Sequence, residues 1–373
     1  MDTLAPERHD SPRPKAGILE IAPYVAGKAK AEGHANPLKL SANENVLGCS
    51  PAATQAYLAA AARLNMYPDG RSNGLREAVA AKHGLEPERL IFGCGSDEVF
   101  TLLAQTFLEP GDNAVQNRWG FFAYRIAIRS AQGQVRVAEQ PGRRIDVDEM
   151  LRCVDDRTRL VFLDNPGNPT GAWIGAREVE RLHRGLPADC LLVLDGAYAE
   201  YVDDPAYTDG LELARGARNV VVTRTFSKIH GLAGLRVGWG YAPEPVISAM
   251  DRIRAPFNVN LPAQEALGAA LADDAFVQRS AALVREERPK LDAAVRALSN
   301  TLETYPGQGN FVLVRFPDEP GRTAGEAEAF LAARGVLVRG LANYGLGDSV
   351  RITVGLPEQN ALVAEGLRAF LAG

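Results

Sequence analysis

The chain has 373 residues, of which 46% are hydrophobic and 23% charged, and its formal net charge is −5. This balance excludes the strongly basic footprint of a nucleic-acid-binding protein, and no apolar run approaches the roughly 20 residues that a membrane-spanning helix needs. The length suffices for one large core and a second, smaller domain.

The cysteines and histidines are dispersed along the chain. Cys49, Cys94, Cys153 and Cys190 form no closely spaced pair, and the five histidines show no ligand spacing, so the sequence predicts no metal site. The first residues lack the basic segment followed by an apolar one that is typical of a secretory signal. We therefore expect reduced thiols and a cytoplasmic location.

In the N-terminal quarter of the chain, segments rich in proline or glycine alternate with segments rich in helix-forming residues. Residues 1–16 are rich in proline and charge, which predicts a flexible arm. The alanine-rich stretch 52–63 predicts the first helix. Tyr67-Pro68-Asp69-Gly70 is a turn signal, and a helix over 73–83 is expected to follow it.

A glycine-rich turn then connects a short buried strand over 89–92 to a helix that runs to residue 108. Ser96 is the predicted N-cap of that helix. Free backbone N–H groups and the positive end of the helix dipole favour an anion there, so this turn is a candidate phosphate site. The alternative is a plain capped helix.

A strand over 113–116 leads into an aromatic cluster of Trp119, Phe121, Phe122 and Tyr124 on a predicted helix. Such a ring can stack on a planar cofactor or pack in the core, and the pattern does not choose between these uses.

The next two strands end in polar residues. The strand over 159–163 runs into a turn rich in Pro, Gly and Asn, and the strand over 190–194 ends at Asp195. The carboxyl ends of strands are where open α/β sheets hold ligands. A carboxylate there can keep a pyridine nitrogen protonated. The alternative for Asp195 is a turn or capping role.

The most informative stretch follows the strand over 219–223. Thr225 and Ser227 precede Lys228, and Arg236 lies beyond a turn rich in glycine. A lysine can form a Schiff base with an aldehyde when its surroundings lower its pKa, and the hydroxyls and arginine suit a phosphate. Pyridoxal phosphate carries both groups, which makes it the predicted cofactor. A loop with a solvated lysine and arginine is the alternative.

The alternation of strands and helices in the middle of the chain predicts an α/β fold with a mostly parallel sheet covered by helices on both faces. The C-terminal part is α+β in pattern, with strands over 309–316, 336–339 and 350–354. We predict a large cofactor-binding domain over 46–271 and a smaller α+β domain built from 17–45 and 272–373.

A series of short motifs, each present once, makes this prediction more specific through its order and spacing along the chain. They are Lys39-Leu40-Ser41-Ala42-Asn43-Glu44, Tyr67-Pro68-Asp69-Gly70, Gly95-Ser96-Asp97-Glu98, Asn168-Pro169-Thr170-Gly171, Asp195 with Tyr198, Arg224-Thr225-Phe226-Ser227-Lys228, Gly231-Leu232-Ala233-Gly234-Leu235-Arg236, Gly309-Asn310-Phe311 and Arg351-Ile352-Thr353-Val354-Gly355. From about residue 17 to the C-terminus, the chain resembles the histidinol-phosphate aminotransferase family, whose members are pyridoxal-phosphate-dependent aminotransferases of fold type I.

The resemblance implies a role for each matching residue around the cofactor ring. Lys228 would form the Schiff base and move the substrate proton. Asp195 would pair with the pyridine nitrogen, and Tyr198 and Asn168 with the ring oxygen. Phe121 would stack on the ring.

The resemblance also implies the residues that hold the cofactor phosphate. These are Ser96, Asp97, Thr225, Ser227 and Arg236. Tyr67 would reach the cofactor of the neighbouring subunit, which implies a homodimer with shared active sites.

Substrate contacts are implied at Arg351, which would bind the α-carboxylate, and at Tyr24 and Arg339, which would lie around the substrate side chain or its phosphate. Asn43 and Asn168 complete the implied substrate site. The implied reaction converts L-histidinol phosphate and 2-oxoglutarate to imidazole acetol phosphate and L-glutamate, so the partners are an amino donor and a 2-oxo acid.

Three alternatives stay open. An aromatic amino-acid aminotransferase of the same family would use the same cofactor, as would an enzyme that decarboxylates its substrate or replaces a side-chain substituent. A ligand-sensing domain of a transcription regulator is disfavoured because the N-terminal arm has no helix-turn-helix pattern. The chain departs from the family's usual residues at Met66, Gly167, Gly196 and Leu356, and none of these departures removes a catalytic group.

Overall fold

The structure is a computed structural model that describes residues 12–15, 17–23, 27–305 and 307–373. Tyr24, which was predicted in the substrate site, lies outside these residues. Most of the predicted flexible arm over 1–16 does so too.

The strands form three sheets within the described part of the chain. In chain order they are β1 (Leu38–Lys39), β2 (Leu90–Gly93), β3 (Asn113–Asn117), β4 (Gln134–Ala138), β5 (Thr158–Asp164), β6 (Leu191–Asp195), β7 (Val220–Thr225), β8 (Gly238–Tyr241), β9 (Glu303–Tyr305), β10 (Phe311–Arg315), β11 (Val336–Leu337), β12 (Arg339–Leu341) and β13 (Leu346–Thr353).

The α-helices connect these strands and cover them. They are α1 (Pro51–Ala60), α2 (Asn73–His83), α3 (Ser96–Phe107), α4 (Phe122–Ser130), α5 (Val147–Arg152), α6 (Ala176–Arg184), α7 (Leu211–Gly216), α8 (Glu244–Asp251), α9 (Leu261–Ala272), α10 (Asp274–Arg296), α11 (Ala324–Ala332) and α12 (Pro357–Ala372).

The central sheet has seven strands in the order β2-β8-β7-β6-β5-β3-β4. Strand β8 runs antiparallel to β2 and β7, whereas the pairs from β7 across to β4 are parallel. Because successive side chains of a strand point to opposite faces, Leu192 and Leu194 pack with residues of α2, α6 and α9, and Leu191 and Val193 pack with residues of α3, α4 and α8. Burial of both faces confirms the predicted α/β fold.

The two smaller sheets consist of the C-terminal strands and β1. Strands β12, β13, β10 and β9 form an antiparallel sheet in that order, and β1 pairs in parallel with β11. A separate apolar cluster joins this sheet to α10, α11 and α12. The domain boundaries at 45/46 and 271/272 stay predictions.

The structure corrects two local predictions. Ser96 is the first residue of α3 and not its N-cap; Gly95 holds the cap position with φ of 83°, which glycine adopts without strain. The strand predicted over 336–339 is divided between two sheets, because β11 pairs with β1 and β12 pairs with β13. Strands β4 and β9 and the short helices α5 and α7 had not been predicted.

Within the described ranges, no helix combines the length and the apolar character needed to cross a bilayer.

Candidate active site

A cleft opens at the carboxyl ends of β5, β6 and β7, where the edge of a parallel sheet gathers the residues that follow each strand. The space between its walls, including the part that opens to solvent, is about 560 Å³. Its lining consists of Ser96, Asp97, Phe121, Asp164, Pro166, Asn168, Asp195, Ala197, Tyr198, Thr225, Ser227, Lys228 and Arg236.

Lys228 follows β7 and extends into this cleft. Its Nζ donates a hydrogen bond to the carbonyl oxygen of Ala42 at 3.2 Å and lies 5.8 Å from the ring centroid of Tyr198. Enclosure by protein, followed by the charge of Arg351, lowers the pKa of Lys228 to about 8. A useful fraction of the amine is therefore neutral and nucleophilic near physiological pH.

Asp195 is buried at the end of β6. Its Oδ2 accepts a hydrogen bond from the hydroxyl of Tyr124 at 2.7 Å, and its Oδ1 accepts from the hydroxyl of Thr223 and the backbone N–H of Ala197, each at 3.2 Å. Burial raises the pKa of Asp195 to about 6, and the three hydrogen bonds limit that rise. All three donors are neutral, so a protonated pyridine nitrogen would supply the charge that complements this carboxylate.

A second buried carboxyl group, that of Asp164, stands beside Asp195. The two residues are Cα partners across β5 and β6. Asp164 Oδ2 accepts a hydrogen bond from the backbone N–H of Asn168 at 2.9 Å, and burial raises the pKa of Asp164 to about 7. The sequence analysis missed Asp164, although its position at the end of a buried strand is the same signal that identified Asp195.

Tyr198 lies on the turn after β6 and is held by Asn43. The side-chain amide of Asn43 donates to the Tyr198 hydroxyl at 2.9 Å, and Asn43 Oδ1 accepts from the hydroxyl of Thr353 at 3.2 Å. Burial raises the pKa of Tyr198 above its ordinary value. Asn43 thus contacts this cleft through the tyrosine.

One end of the cleft has the donors that a phosphate requires. The first turn of α3 presents Ser96 and Asp97, and Arg236 Nη1 donates to the hydroxyl of Ser227 at 3.2 Å. A Cβ on Gly238 would collide with the backbone nitrogen of Ser96, so glycine permits this close approach. Free N–H groups, hydroxyls and a guanidinium group together fit a phosphate dianion.

Arg351 on β13 contacts this cleft through one of its lining residues, Asn168. Its Nη1 donates to Asn168 Oδ1 and its Nη2 donates to the carbonyl oxygen of Ser41 at 2.9 Å. Arg339 is the cross-strand partner of Arg351 and is 8% exposed, but it does not line this cleft. Arg351 thus reaches a residue of the cleft wall, and its positive charge acts on Lys228.

The model of one protein family, aminotransferase class I and II, matches residues 35–367. A histidinol-phosphate aminotransferase from Caulobacter vibrioides is 58% identical over 96% of this chain and 99% of its own length. The chain belongs to the class I and II aminotransferases, in the histidinol-phosphate aminotransferase family. A second relative with that name, from Maricaulis maris, is 48% identical over 96% of this chain and 98% of its own length.

A solved aminotransferase structure agrees with the fold. The histidinol-phosphate aminotransferase of Sinorhizobium meliloti, crystallised with pyridoxal 5′-phosphate, has a TM-score of 0.87 and 26% identity, covering 97% of this chain and 99% of that chain. The fold type predicted from the sequence is thereby confirmed.

Most of the residues assigned to the cofactor from this aminotransferase resemblance come together in the cleft. They are Ser96, Asp97, Phe121, Asn168, Asp195, Tyr198, Thr225, Ser227, Lys228 and Arg236. Tyr67 is separate from them; it is 82% exposed and stacks on Phe257 with ring centroids 4.7 Å apart. The individual roles of all these residues stay predictions.

Tyr124 is a further site residue that the sequence analysis did not single out. It lay within the aromatic cluster, but no local pattern marks which of these rings reaches Asp195. Within the described ranges, no group of three or more His, Cys, Asp or Glu residues could hold a metal ion.

Proposed function

We propose that this protein is a pyridoxal-phosphate-dependent aminotransferase that converts L-histidinol phosphate and 2-oxoglutarate to imidazole acetol phosphate and L-glutamate, a step of histidine biosynthesis. The observation that supports the proposal is one cleft lined by Lys228, whose pKa is lowered, by the buried Asp195, and by the hydroxyl and guanidinium groups of Ser227 and Arg236. The names of relatives at 48–58% identity supply the substrate.

The donor set around the cleft fits the proposed cofactor. Pyridoxal phosphate, when bound, supplies an electron sink for the substrate carbon that carries the nitrogen. Asp195 would hold the proton on the pyridine nitrogen, Tyr198 and Asn168 would bind the ring oxygen, and Phe121 would cover one face. The first turn of α3, the hydroxyls and Arg236 would hold the phosphate.

Lys228 has the properties of the group that bonds the cofactor and carries the proton. Its amine would hold the cofactor covalently between turnovers and, when free, would carry the substrate's proton as a general base and then as a general acid. A pKa of about 8 suits both directions of transfer near neutral pH.

Arg351 would anchor the substrate. Glutamate presents an α-carboxylate, whereas histidinol phosphate presents a phosphate-bearing CH₂ group at that position, so one site must accept anions of two shapes. A planar guanidinium group can grip two oxygens of either anion. We further propose that Arg339 serves the distal anion and that Tyr24 lies near the substrate side chain.

An exposed apolar surface supports a homodimer. Leu58, Leu64 and Met66 are 65%, 68% and 58% exposed in the single chain, and Tyr67 adjoins them. Such surfaces mark protein–protein contacts. We propose that a second copy covers them, that Tyr67 reaches the phosphate of that copy's cofactor, and that the enzyme works in the cytoplasm.

Steady-state assays of the purified protein with pyridoxal phosphate test the function. Histidinol phosphate, phenylalanine and tyrosine would each be offered with 2-oxoglutarate, and Lys228→Ala would serve as the control. We expect the highest kcat/KM for histidinol phosphate. Turnover of the aromatic amino acids without turnover of histidinol phosphate would assign the protein to the aromatic aminotransferases instead.

A further inference from the structure

Gly196 directly follows Asp195, and the guanidinium group of Arg224 occupies the space where a side chain at position 196 would be. A Cβ built on Gly196 would overlap Nη1 of Arg224 and lie 2.6 Å from its Cζ. The backbone conformation of Gly196 does not itself demand glycine, because its φ lies outside the left-handed region. In this structure the guanidinium group of Arg224 therefore fills the space that a side chain at position 196 would need.

Arg224 is buried with two acidic partners. Its side chain is 4% exposed, Nε lies 3.7 Å from a carboxylate oxygen of Glu200, and Nη2 lies 3.1 Å from a carboxylate oxygen of Asp209. Nη2 also donates to the carbonyl oxygen of Asp209 at 3.3 Å. A buried cation is tolerated when it is paired in this way, and removing one partner leaves an uncompensated charge.

This network joins the two segments that carry the main residues of the proposed cofactor site. Arg224 belongs to β7, four residues before Lys228, whereas Glu200 lies two residues after Tyr198. The neighbours of Arg224 on β7 face the cleft side: Thr223 bonds to Asp195, and Thr225 lines the cleft. Side chains of a strand alternate between faces, so Arg224 supports these residues from the opposite face.

The turn that begins at Gly196 is hydrogen-bonded to β7 at Thr223, next to Arg224. The N–H of Gly196 donates to the carbonyl oxygen of Thr223 at 3.0 Å, and the carbonyl oxygen of Gly196 accepts from the N–H of Ala199 at 3.1 Å. A displaced guanidinium group would therefore disturb the turn between Asp195 and Tyr198 at its first residue.

We propose that Arg224 is a positioning residue that fixes the turn from Asp195 to Tyr198 against β7, and that Gly196 is the residue that admits it. The inference rests on the proposed function, because its consequence is the placement of Asp195 and Tyr198 against pyridoxal phosphate. Arg224 acts through these residues and does not line the cleft itself.

The test compares Gly196→Ala, Arg224→Lys and the double variant. Pyridoxal phosphate would be titrated to obtain its Kd, and the absorbance of the bound cofactor would be followed against pH. We expect Gly196→Ala to raise the Kd of pyridoxal phosphate about tenfold and to move the pH midpoint of the absorbance. Arg224→Lys should change both readouts less. The shorter lysine leaves room for the added methyl group, so the double variant should regain most of the loss.

Controls separate positioning from folding. Gly216→Ala adds a methyl group where no atom lies within 4 Å and should leave both readouts unchanged. Should Gly196→Ala fail to fold, Glu200→Gln keeps the test available, since it removes one charge at nearly constant volume and should shift the same two readouts.

Three results would overturn the inference. They are a wild-type Kd and pH midpoint in folded Gly196→Ala, strictly additive losses in the double variant, and unchanged readouts in Glu200→Gln. If the wild-type protein itself did not bind pyridoxal phosphate, the proposed function would fail together with the inference, and that outcome is distinguishable because it precedes any substitution.

Discussion

Asp164 and Asp195 are direct cross-strand partners at the carboxyl ends of β5 and β6, and both carboxyl groups line the same cleft. Burial is the largest cause of the raised pKa of each, to about 7 for Asp164 and about 6 for Asp195. Asp195 accepts a hydrogen bond from the hydroxyl of Tyr124, whereas Asp164 accepts one from the backbone N–H of Asn168. The two carboxyl groups therefore differ in the ease with which they ionise.

The first prediction concerns the pH dependence of stability. Because the pKa of Asp164 is raised from 3.8 to about 7, the folded chain binds this proton more tightly than the unfolded chain, and stability falls as pH rises from about 4 to 7. Asp164→Asn removes this penalty. We expect a gain on the order of 2 kcal/mol in the free energy of unfolding at pH 8, which is absent at pH 4.

Urea unfolding of the cofactor-free protein at both pH values checks this prediction. Asp189→Asn is the matched control, because it makes the same substitution at a side chain that is 71% exposed. An equal change for Asp164→Asn at pH 4 and pH 8 would show that the carboxyl group does not titrate as a buried acid.

The second prediction concerns Tyr124→Phe, which removes the 2.7 Å hydrogen bond to Asp195. A hydrogen bond to a charged group is worth about 1.5–3 kcal/mol, so the ionised form of Asp195 loses support. We expect Kd for pyridoxal phosphate to rise about tenfold or more, measured by equilibrium titration. Tyr305→Phe, on β9, is the control and should leave Kd unchanged. Equal Kd values for the two variants would show that Tyr124 does not support cofactor binding.

The third prediction assigns the covalent bond to the cofactor. Borohydride reduction of the loaded protein followed by peptide mapping should place the cofactor on Nζ of Lys228, and Lys228→Ala should abolish transamination. The initial rate of attachment should rise with pH until about 8, because the neutral amine is the nucleophile. Lys290→Ala, at an exposed lysine of α10, is the control; a label on another lysine would refute the assignment.

The fourth prediction separates Arg351 from Arg339. Arg351→Ala should slow both half-reactions, since loss of a charge-assisted contact costs about 1.5–3 kcal/mol. Arg339→Ala should harm the glutamate half-reaction more than the phenylalanine half-reaction, because phenylalanine has no second anion. Single-turnover rates for each donor measure this, and equal losses for glutamate and phenylalanine would leave Arg339 with a structural role only.

The fifth prediction tests the shared site. Tyr67→Ala and Lys228→Ala subunits would each form weakly active or inactive dimers, but a mixed dimer contains one site with an intact Lys228 and an intact Tyr67 from its partner. Denaturing and refolding the two variants together should restore about a quarter of the wild-type activity if they pair at random. Activity equal to the average of the separate variants would contradict sharing.

Several functional residues could be predicted from the sequence because their signals are local. Lys228, Ser227 and Thr225 follow one buried strand, Asp195 ends another, and both ends meet at one edge of a parallel sheet. The same rule applied to the end of β5 would have identified Asp164. The alternation of strands and helices likewise sufficed for the fold class, since it reflects the two buried faces of the sheet.

Other relationships depend on approach between distant segments. The bond from Tyr124 to Asp195 spans 71 residues, and the bond from Asn43 to Tyr198 spans 155. The sequence marks Gly196 only as a departure from the family's usual residues, and its contact with Arg224 becomes visible only in the tertiary structure.

Residue types and their spacing therefore determined the chemistry at the strand ends and the family of the protein. The tertiary structure decided which aromatic ring supports Asp195, which buried cation lies behind the turn to Tyr198, and how residues 336–341 divide between two sheets. Packing and hydrogen bonding between segments select these partners. A local sequence pattern cannot predict them because it does not specify which distant segment will be in contact.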